Sequence, residues 1–195
     1  MIFFKPVMME ASLSCGATAK YSIPPPGRHK FTGQSVRPIP IRILTVGKKR
    51  SPGVQLIVDE YIHKLSTHYC PVDDIRVKSN PKNAHDPTVQ IEHEDTACMR
   101  HIRSDDEWVV LLDENGLDLD SIQMASLIGD AINTGPPSLL FCIGGPYGHG
   151  RLLRERANVS IKLSSLVLNH EVALVVLMEQ LYRAWTILKG QKYHH

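Results

Sequence analysis

Four glycines fall within seven positions of the stretch LLFCIGGPYGHGRLLRERA, residues 139–157: Gly144, Gly145, Gly148 and Gly150, directly after an apolar run. Glycines in such a place let a ligand approach the backbone closely and leave amide N–H groups free to donate. A phosphate or dinucleotide loop is the first chemistry to weigh, and the spacing excludes it. There is no GxGxxG and no GK[ST], and Pro146 removes one amide that a phosphate cradle would use. Nor does an acidic residue end a strand about twenty residues on to hold a ribose. The loop therefore suits a ligand that meets backbone without an anion hole, and competes with a plain reading as a tight strand-to-helix turn that binds nothing. Polar candidates gather further on: His170 at a helix start, Arg183 within that helix, and Tyr193 and His194 at the end of the chain. Each has a bland alternative. Arg183 can pair with Glu179 one helical turn earlier, His170 can be a satisfied histidine, and the terminal pair can be a frayed tail.

The elements that must position these groups alternate. IRILTVGK (41–48) reads as a buried strand ending in a glycine turn. Residues 51–66 carry apolar side chains at Val54, Ile57, Val58, Tyr61, Ile62 and Leu65, the spacing of an amphipathic helix. A strand over 73–78 follows, then the polar loop SNPKNAHDP, then residues 88–103, whose His, Glu and Arg content predicts a solvated helix. Residues 107–116 form a strand that enters a turn, and Ser121 is placed to cap a helix over 121–133. Residues 138–145 give the next strand, 151–157 the start of a helix, 161–170 a mixed segment, and 171–188 a long helix, apolar nearly all round. Strands separated by helices imply an α/β domain with a mostly parallel sheet flanked by helices. Ligands on such sheets bind at the carboxyl ends of the strands, where the glycine loop lies.

With 195 residues, 43% hydrophobic and 22% charged, the chain has the composition of a globular protein with one substantial core. The greasiest stretch, Val172 to Met178, is soon interrupted by Glu179, Gln180 and Arg183, so no membrane span is expected. Cys15, Cys70, Cys98 and Cys142 are far apart, which predicts reduced thiols and no metal centre. Residues 1–40 hold five basic residues and one acidic residue, are interrupted by Pro24-Pro25-Pro26 and Pro38-Ile39-Pro40, and show no sustained periodicity. They read as a disordered leader of transit-peptide composition, with an unaddressed tail as the alternative, and the domain is expected over 41–195. That body has 17 basic and 19 acidic residues. Any nucleic-acid partner must therefore be met by a local basic patch, because overall charge gives no attraction.

The segments LFCIGGPYGHG and IKLSSLVLNHEVALVVLMEQLYRAWTILKGQKYHH, in that order, resemble the RlmH family of SPOUT (α/β-knot) methyltransferases. The resemblance runs over residues 41–195, is recognisable at VVLLDENG (109–116) and is close from 139 onward, where GGPxG, EQLYRAW and the terminal YH keep the family's order and spacing. It implies a trefoil knot in the C-terminal half, and a homodimer with cofactor pockets near the subunit interface. It also implies methylation of N3 of a pseudouridine in large-subunit ribosomal RNA from S-adenosylmethionine. Carried over residue by residue, it places Leu112, Gly144 and the run Leu163, Ser164, Ser165, Leu166, Val167 and Leu168 at the cofactor. His170, Arg183, Tyr193 and His194 fall at positions around the methyl-acceptor pocket, the tail coming from the partner subunit. The chain departs from the family at Asn169, usually proline, at Val167, usually a hydroxyl residue, and at His149, usually small or apolar.

Two expectations of different class result. One is an rRNA methyltransferase imported into an organelle, a chloroplast ahead of a mitochondrion, or cytoplasmic if the leader carries no address. The other is a non-catalytic knotted dimer that binds RNA or assembles ribosomes. A Rossmann oxidoreductase loses on the glycine spacing and the absent ribose-binding acid.

Overall fold

In the computed structural model, residues 37–191 are described. Residues 1–36, which hold most of the expected leader and Cys15, lie outside them, as do Tyr193 and His194. The run LLFCI explains the centre of the molecule: β4 (Leu139–Ile143) is buried at all five positions, as a parallel strand covered on both faces must be. It is hydrogen-bonded on one side to β1 (Ile41–Gly47) and on the other to β3 (Trp108–Asp118). With β2 (Val72–Lys78) beyond β1 and β5 (Val159–Lys162) beyond β3, the sheet has the order β2-β1-β4-β3-β5 and is parallel throughout.

The helices divide between the two faces. On one, α1 (Pro52–His68), α3 (Ser121–Asn133) and α5 (His170–Leu188) bury Val58, Leu65, Leu127, Ile128, Leu177, Leu181 and Trp185 against Ile41, Ile43 and Phe141. On the other, α2 (Pro87–Met99) and the short α4 (Arg151–Arg156) place Cys98 and Leu153 against Leu44, Val46, Leu111, Leu140 and Cys142. Helix starts follow local chemistry. Pro52 and Pro87 each open a helix, where their missing N–H costs nothing. The Asn169 side chain accepts from Glu171 N–H at 2.9 Å to cap α5.

Two expectations are corrected. The cap of α3 is Asp120, in a reciprocal capping box with Gln123, while the Ser121 hydroxyl donates to Gln180 Oε1 at 2.8 Å. And α2, expected as a solvated helix over 88–103, ends at Met99 and is solvated on one face only: Glu92 and Thr96 are exposed, while Glu94 and Asp95 are 3% and 4% exposed. Asp95 and one oxygen of Glu94 draw on partners outside the helix, which a reading of helical periodicity cannot show, while Glu94 Oε2 is buried with no hydrogen-bond partner. Glu94 Oε1 accepts from Ser79 Oγ (2.9 Å), Asn80 N–H (2.7 Å) and Gln90 Nε2 (2.8 Å). Asp95 accepts the N–H groups of Leu152 and Leu153 at 2.7 and 2.9 Å, and so caps the first turn of α4.

Candidate active site

At the carboxyl ends of β3, β4 and β5 the chain encloses a cavity of about 710 Å³. Its walls are Leu112 to Asn115 from β3, Ile143 and the loop Gly144–Gly148 after β4, Lys162 and the segment that follows β5, and His170 and Ala173 from the first turn of α5. Arg154 closes it from α4.

The wall from β3 comes from an excursion within that strand. Leu112 and Leu117 both pair with Ile161, so Asp113, Glu114, Asn115 and Gly116 are looped out between them. Gly116 makes the detour feasible, since a Cβ there would stand 2.5 Å from the backbone carbon of Ile161. The glycine loop folds back on itself: Gly148 N–H donates to the Gly145 carbonyl at 3.0 Å, and Gly148 takes φ +79°. A Cβ on Gly144 would lie 2.8 Å from the Gly148 backbone, one on Gly145 2.6 Å from Glu94 Oε2, and one on Gly150 2.4 Å from the Asp95 carboxylate. The glycines are thus needed for the loop to sit on α2, whatever else they admit.

Two links tie this loop to β3. His149 Nε2 lies 3.0 Å from the Leu112 carbonyl oxygen, which assigns the ring proton to Nε2. Burial pushes His149 below the ordinary histidine range and the Arg154 charge adds to this, outweighing the Leu112 hydrogen bond and the Asp113 and Asp95 carboxylates. Arg154 forms the second link: Nη2 pairs with Asp113 Oδ2 at 2.6 Å and Nε donates to the His149 carbonyl at 3.1 Å. Burial would raise Asp113, but the Asn115 N–H and the Arg154 guanidinium more than offset it and hold the carboxyl below its usual value. Lys162 pairs with Asp118 at 3.2 Å. Both cations of the cavity wall therefore already have carboxylate partners, and the cavity offers an anionic ligand no free charge.

Of the residues singled out in the sequence, Leu112, Gly144, Leu163, Ser164, Leu166, Val167, Leu168 and His170 line this one cavity. Ser165 does not. Leu166 and Val167 are 76% and 84% exposed at its rim, an apolar surface turned outward. Arg183 lies thirteen residues after His170 on the same helix, about 20 Å along its axis at 1.5 Å per residue. It pairs with Glu179 Oε1 through Nε (3.0 Å) and Nη2 (2.7 Å) and does not line the cavity. Sequence reasoning missed Asp113, Arg154, Glu94 and Asp95. The acids of DENG just past an apolar strand were a signal for the first; the other three take their meaning only from long-range contacts. Among the described residues no three His, Cys, Asp or Glu side chains are arranged to hold a metal ion, and no helix is long and apolar enough to cross a membrane.

The sequence profile of the family described as "Predicted SPOUT methyltransferase" matches residues 39–194, every element of the sheet and its helices. The chain belongs to the SPOUT methyltransferase family. A relative from Arabidopsis thaliana, named "Putative RNA methyltransferase", is 63% identical over 166 residues, 85% of each chain. Relatives named "Ribosomal RNA large subunit methyltransferase H" are 32% identical in Cytophaga hutchinsonii, over 80% of this chain and 99% of theirs, and in Syntrophobacter fumaroxidans, over 79% and 98%. The α/β architecture and the methyltransferase class expected from GGPxG and EQLYRAW are those of this SPOUT enzyme.

Proposed function

We propose that this SPOUT enzyme transfers a methyl group from S-adenosylmethionine to large-subunit ribosomal RNA, at N3 of a pseudouridine. The observation that carries the proposal is the cavity. Its 710 Å³ lies within the range of about 300–1,000 Å³ usual for small-ligand sites. Its walls combine apolar side chains and glycine backbone with polar groups such as Glu114, Asn115, Ser164 and His170, and its two cations, Arg154 and Lys162, pair with Asp113 and Asp118. Those features fit a zwitterionic sulfonium with an adenine better than a nucleotide phosphate.

The bound cofactor supplies a methyl group on a positively charged sulfur. Leu163, Leu166 and Leu168 give the adenine an apolar slot with backbone polar groups alongside, and Leu112 and Gly144 bound the opposite wall. Glu114 adds a carboxylate to the cavity wall beside the Arg154-paired Asp113, available to the cofactor's cationic groups. An imide N3 loses its proton as it becomes methylated, so a base or a stabilising cation serves it. His170, exposed at the cavity mouth, is the base candidate in this chain. Arg183 stands too far along α5 to reach its own cavity, and in this reading serves the cavity of a partner subunit, with Tyr193 and His194. The family's homodimer and trefoil knot belong to the same proposal. So does an organellar address in a chloroplast, supported by the composition of residues 1–40 and the similarity to a plant protein.

The test is transfer of labelled methyl groups from S-adenosylmethionine to bacterial large ribosomal subunits that lack this modification, with nucleoside mass spectrometry of the product. Label in N3-methylpseudouridine supports the reading. Tight binding to the subunits without transfer supports the non-catalytic alternative.

A further inference from the structure

The body of the chain has more acidic than basic residues, so a surface that holds RNA phosphates must be a local one. Two stretches free of Asp and Glu, IRILTVGKKRS (41–51) and IRVKSNPKNAH (75–85), run to the same end of the sheet. β1 and β2 pair in parallel, with Gly47 opposite Lys78 and Ser79 N–H donating to the Gly47 carbonyl at 3.4 Å. Lys48 and Lys49 follow Gly47 directly. Lys82 sits in a turn closed by Asn83 N–H to the Asn80 carbonyl (3.1 Å) and by two bonds between the Asn80 side chain and Ala84.

Lys48, Lys49, Lys78 and Lys82 are all exposed, and among the described residues none has a carboxylate partner. The acids around them are engaged elsewhere. Asp74 takes both terminal nitrogens of Arg50, Asp73 takes Arg103, Asp86 caps α2, Glu94 is buried beneath the turn, and Glu171 accepts from Ser51. Elsewhere cations are commonly paired: Arg42, Lys64, Arg151 and Arg154 each hold a carboxylate.

This lysine edge is fixed relative to the cavity from two sides. A Cβ on Gly47 would lie 3.4 Å from Nε2 of His170, which lines the cavity. Glu94 grips Ser79 and Asn80 through Oε1, while its Oε2 abuts Gly145 in the cavity wall.

We infer that Lys48, Lys49, Lys78 and Lys82 form a rim that holds the phosphates of the RNA strand on one side of the nucleotide presented to the cavity. The inference rests on the RNA-methyltransferase reading and adds to it the face on which the strand runs. Phosphate contacts of this kind position a substrate without reading its sequence.

The test measures binding of the full chain to bacterial large ribosomal subunits across a salt series, with wild type, the Lys→Gln variant at all four positions, the Lys→Arg variant at the same four, and a control with Arg37, Lys64, Arg100 and Arg103 changed to Gln. The rim predicts that the four-fold Lys→Gln variant loses at least about tenfold in affinity and that its plot of log K against log salt is shallower by about 3, four phosphates at roughly 0.7–0.9 each. The Lys→Arg variant and the remote control keep wild-type slopes, and S-adenosylmethionine affinity is the same in all four proteins. Wild-type affinity in the Lys→Gln variant, or an equal loss in the control, overturns the rim. The two readings fail separately. A wild type that binds subunits through the rim but never transfers methyl leaves the rim standing and removes the enzyme reading; transfer with no effect of the lysines does the reverse.

Discussion

The imidazole of His149 and the carbonyl of Leu112 meet at 3.0 Å, joining the glycine loop after β4 to the last regular residue of β3 before its excursion. The bond needs a proton on Nε2, which both the neutral Nε2–H tautomer and the imidazolium carry, so it is burial and the Arg154 charge, not the bond, that favour the neutral ring. His149 is therefore a part of the scaffold here.

His149→Ala leaves the Leu112 carbonyl without its donor, which costs about 1–3 kcal/mol of stability. The lowered pKa also sets a sign. A histidine with a folded-state pKa below its unfolded value contributes fully above the unfolded value and loses that contribution as pH falls below it. Thermal melts should show wild type losing stability from about pH 6.5 downward, with the loss reduced in His149→Gln. Parallel pH profiles for the two proteins would contradict the assignment.

Gly144→Val brings a side chain onto the Gly148 backbone, 2.8 Å from where its Cβ would stand. The loop has to move, so the expected result is a stability loss of about 1–3 kcal/mol together with at least tenfold weaker S-adenosylmethionine binding. Calorimetry and thermal unfolding on the same sample check both. Unchanged affinity would show that the loop does not bound the cofactor.

Much of this geometry was legible in the chain itself. β4 announced itself as an unbroken apolar run, β1 as a mostly apolar one ending in glycine, α1 by its periodicity, and the glycine loop by its place after a strand. What was not legible has one physical cause: satisfaction at long range. HEDTACMR looks solvated because Glu94 and Asp95 are charged, yet their partners are backbone amides of Asn80, Leu152 and Leu153. The DENG excursion reads as a turn because nothing local tells that the strand resumes at Leu117. Arg183 was singled out by spacing within the family, and its distance from the cavity emerges only once α5 is laid against the sheet.

At the far end of the sheet Arg42 Nη1 and Glu107 Oε1 form a buried pair at 2.7 Å, with Ser138 Oγ on Oε1 and Arg103 N–H on Oε2. Burial opposes ionisation of Glu107, but the Ser138, Arg103 and Arg42 donors outweigh it and keep its carboxyl below the usual range. Arg42→Met strands this carboxylate and should cost about 3–5 kcal/mol. Glu107 stabilises the fold above its unfolded pKa, and the contribution is lost as pH falls through the folded one. Denaturant unfolding near pH 7 and at acidic pH checks both statements; a gap between variant and wild type that does not narrow on acidification would contradict them.

Burial pushes the Cys70 and Cys98 thiols up to about 12 and Cys142 well above its ordinary value. Iodoacetamide should therefore leave all three unmodified in the native protein and label them after unfolding, as peptide mass spectrometry would read. Rapid labelling of Cys142 in the folded chain would contradict its place in β4.

Arg183→Ala should leave S-adenosylmethionine affinity within about twofold of wild type while methyl transfer falls by about a hundredfold or more, the loss typical of one stabilising cation. In the proposed dimer, where each site would draw Arg183 from the other subunit, mixing Arg183→Ala with a variant defective only in the cavity should restore activity in heterodimers. No recovery on mixing would place Arg183 outside the partner's site.

Calorimetric titration of the full chain with S-adenosylmethionine, beside NADH as control, tests the central claim most directly. The cavity at the ends of β3, β4 and β5 predicts saturable binding of the methyl donor, weakened by Gly144→Val, and none of the dinucleotide. Absence of methyl-donor binding at high protein concentration would contradict the enzyme reading and leave the non-catalytic RNA-binding alternative.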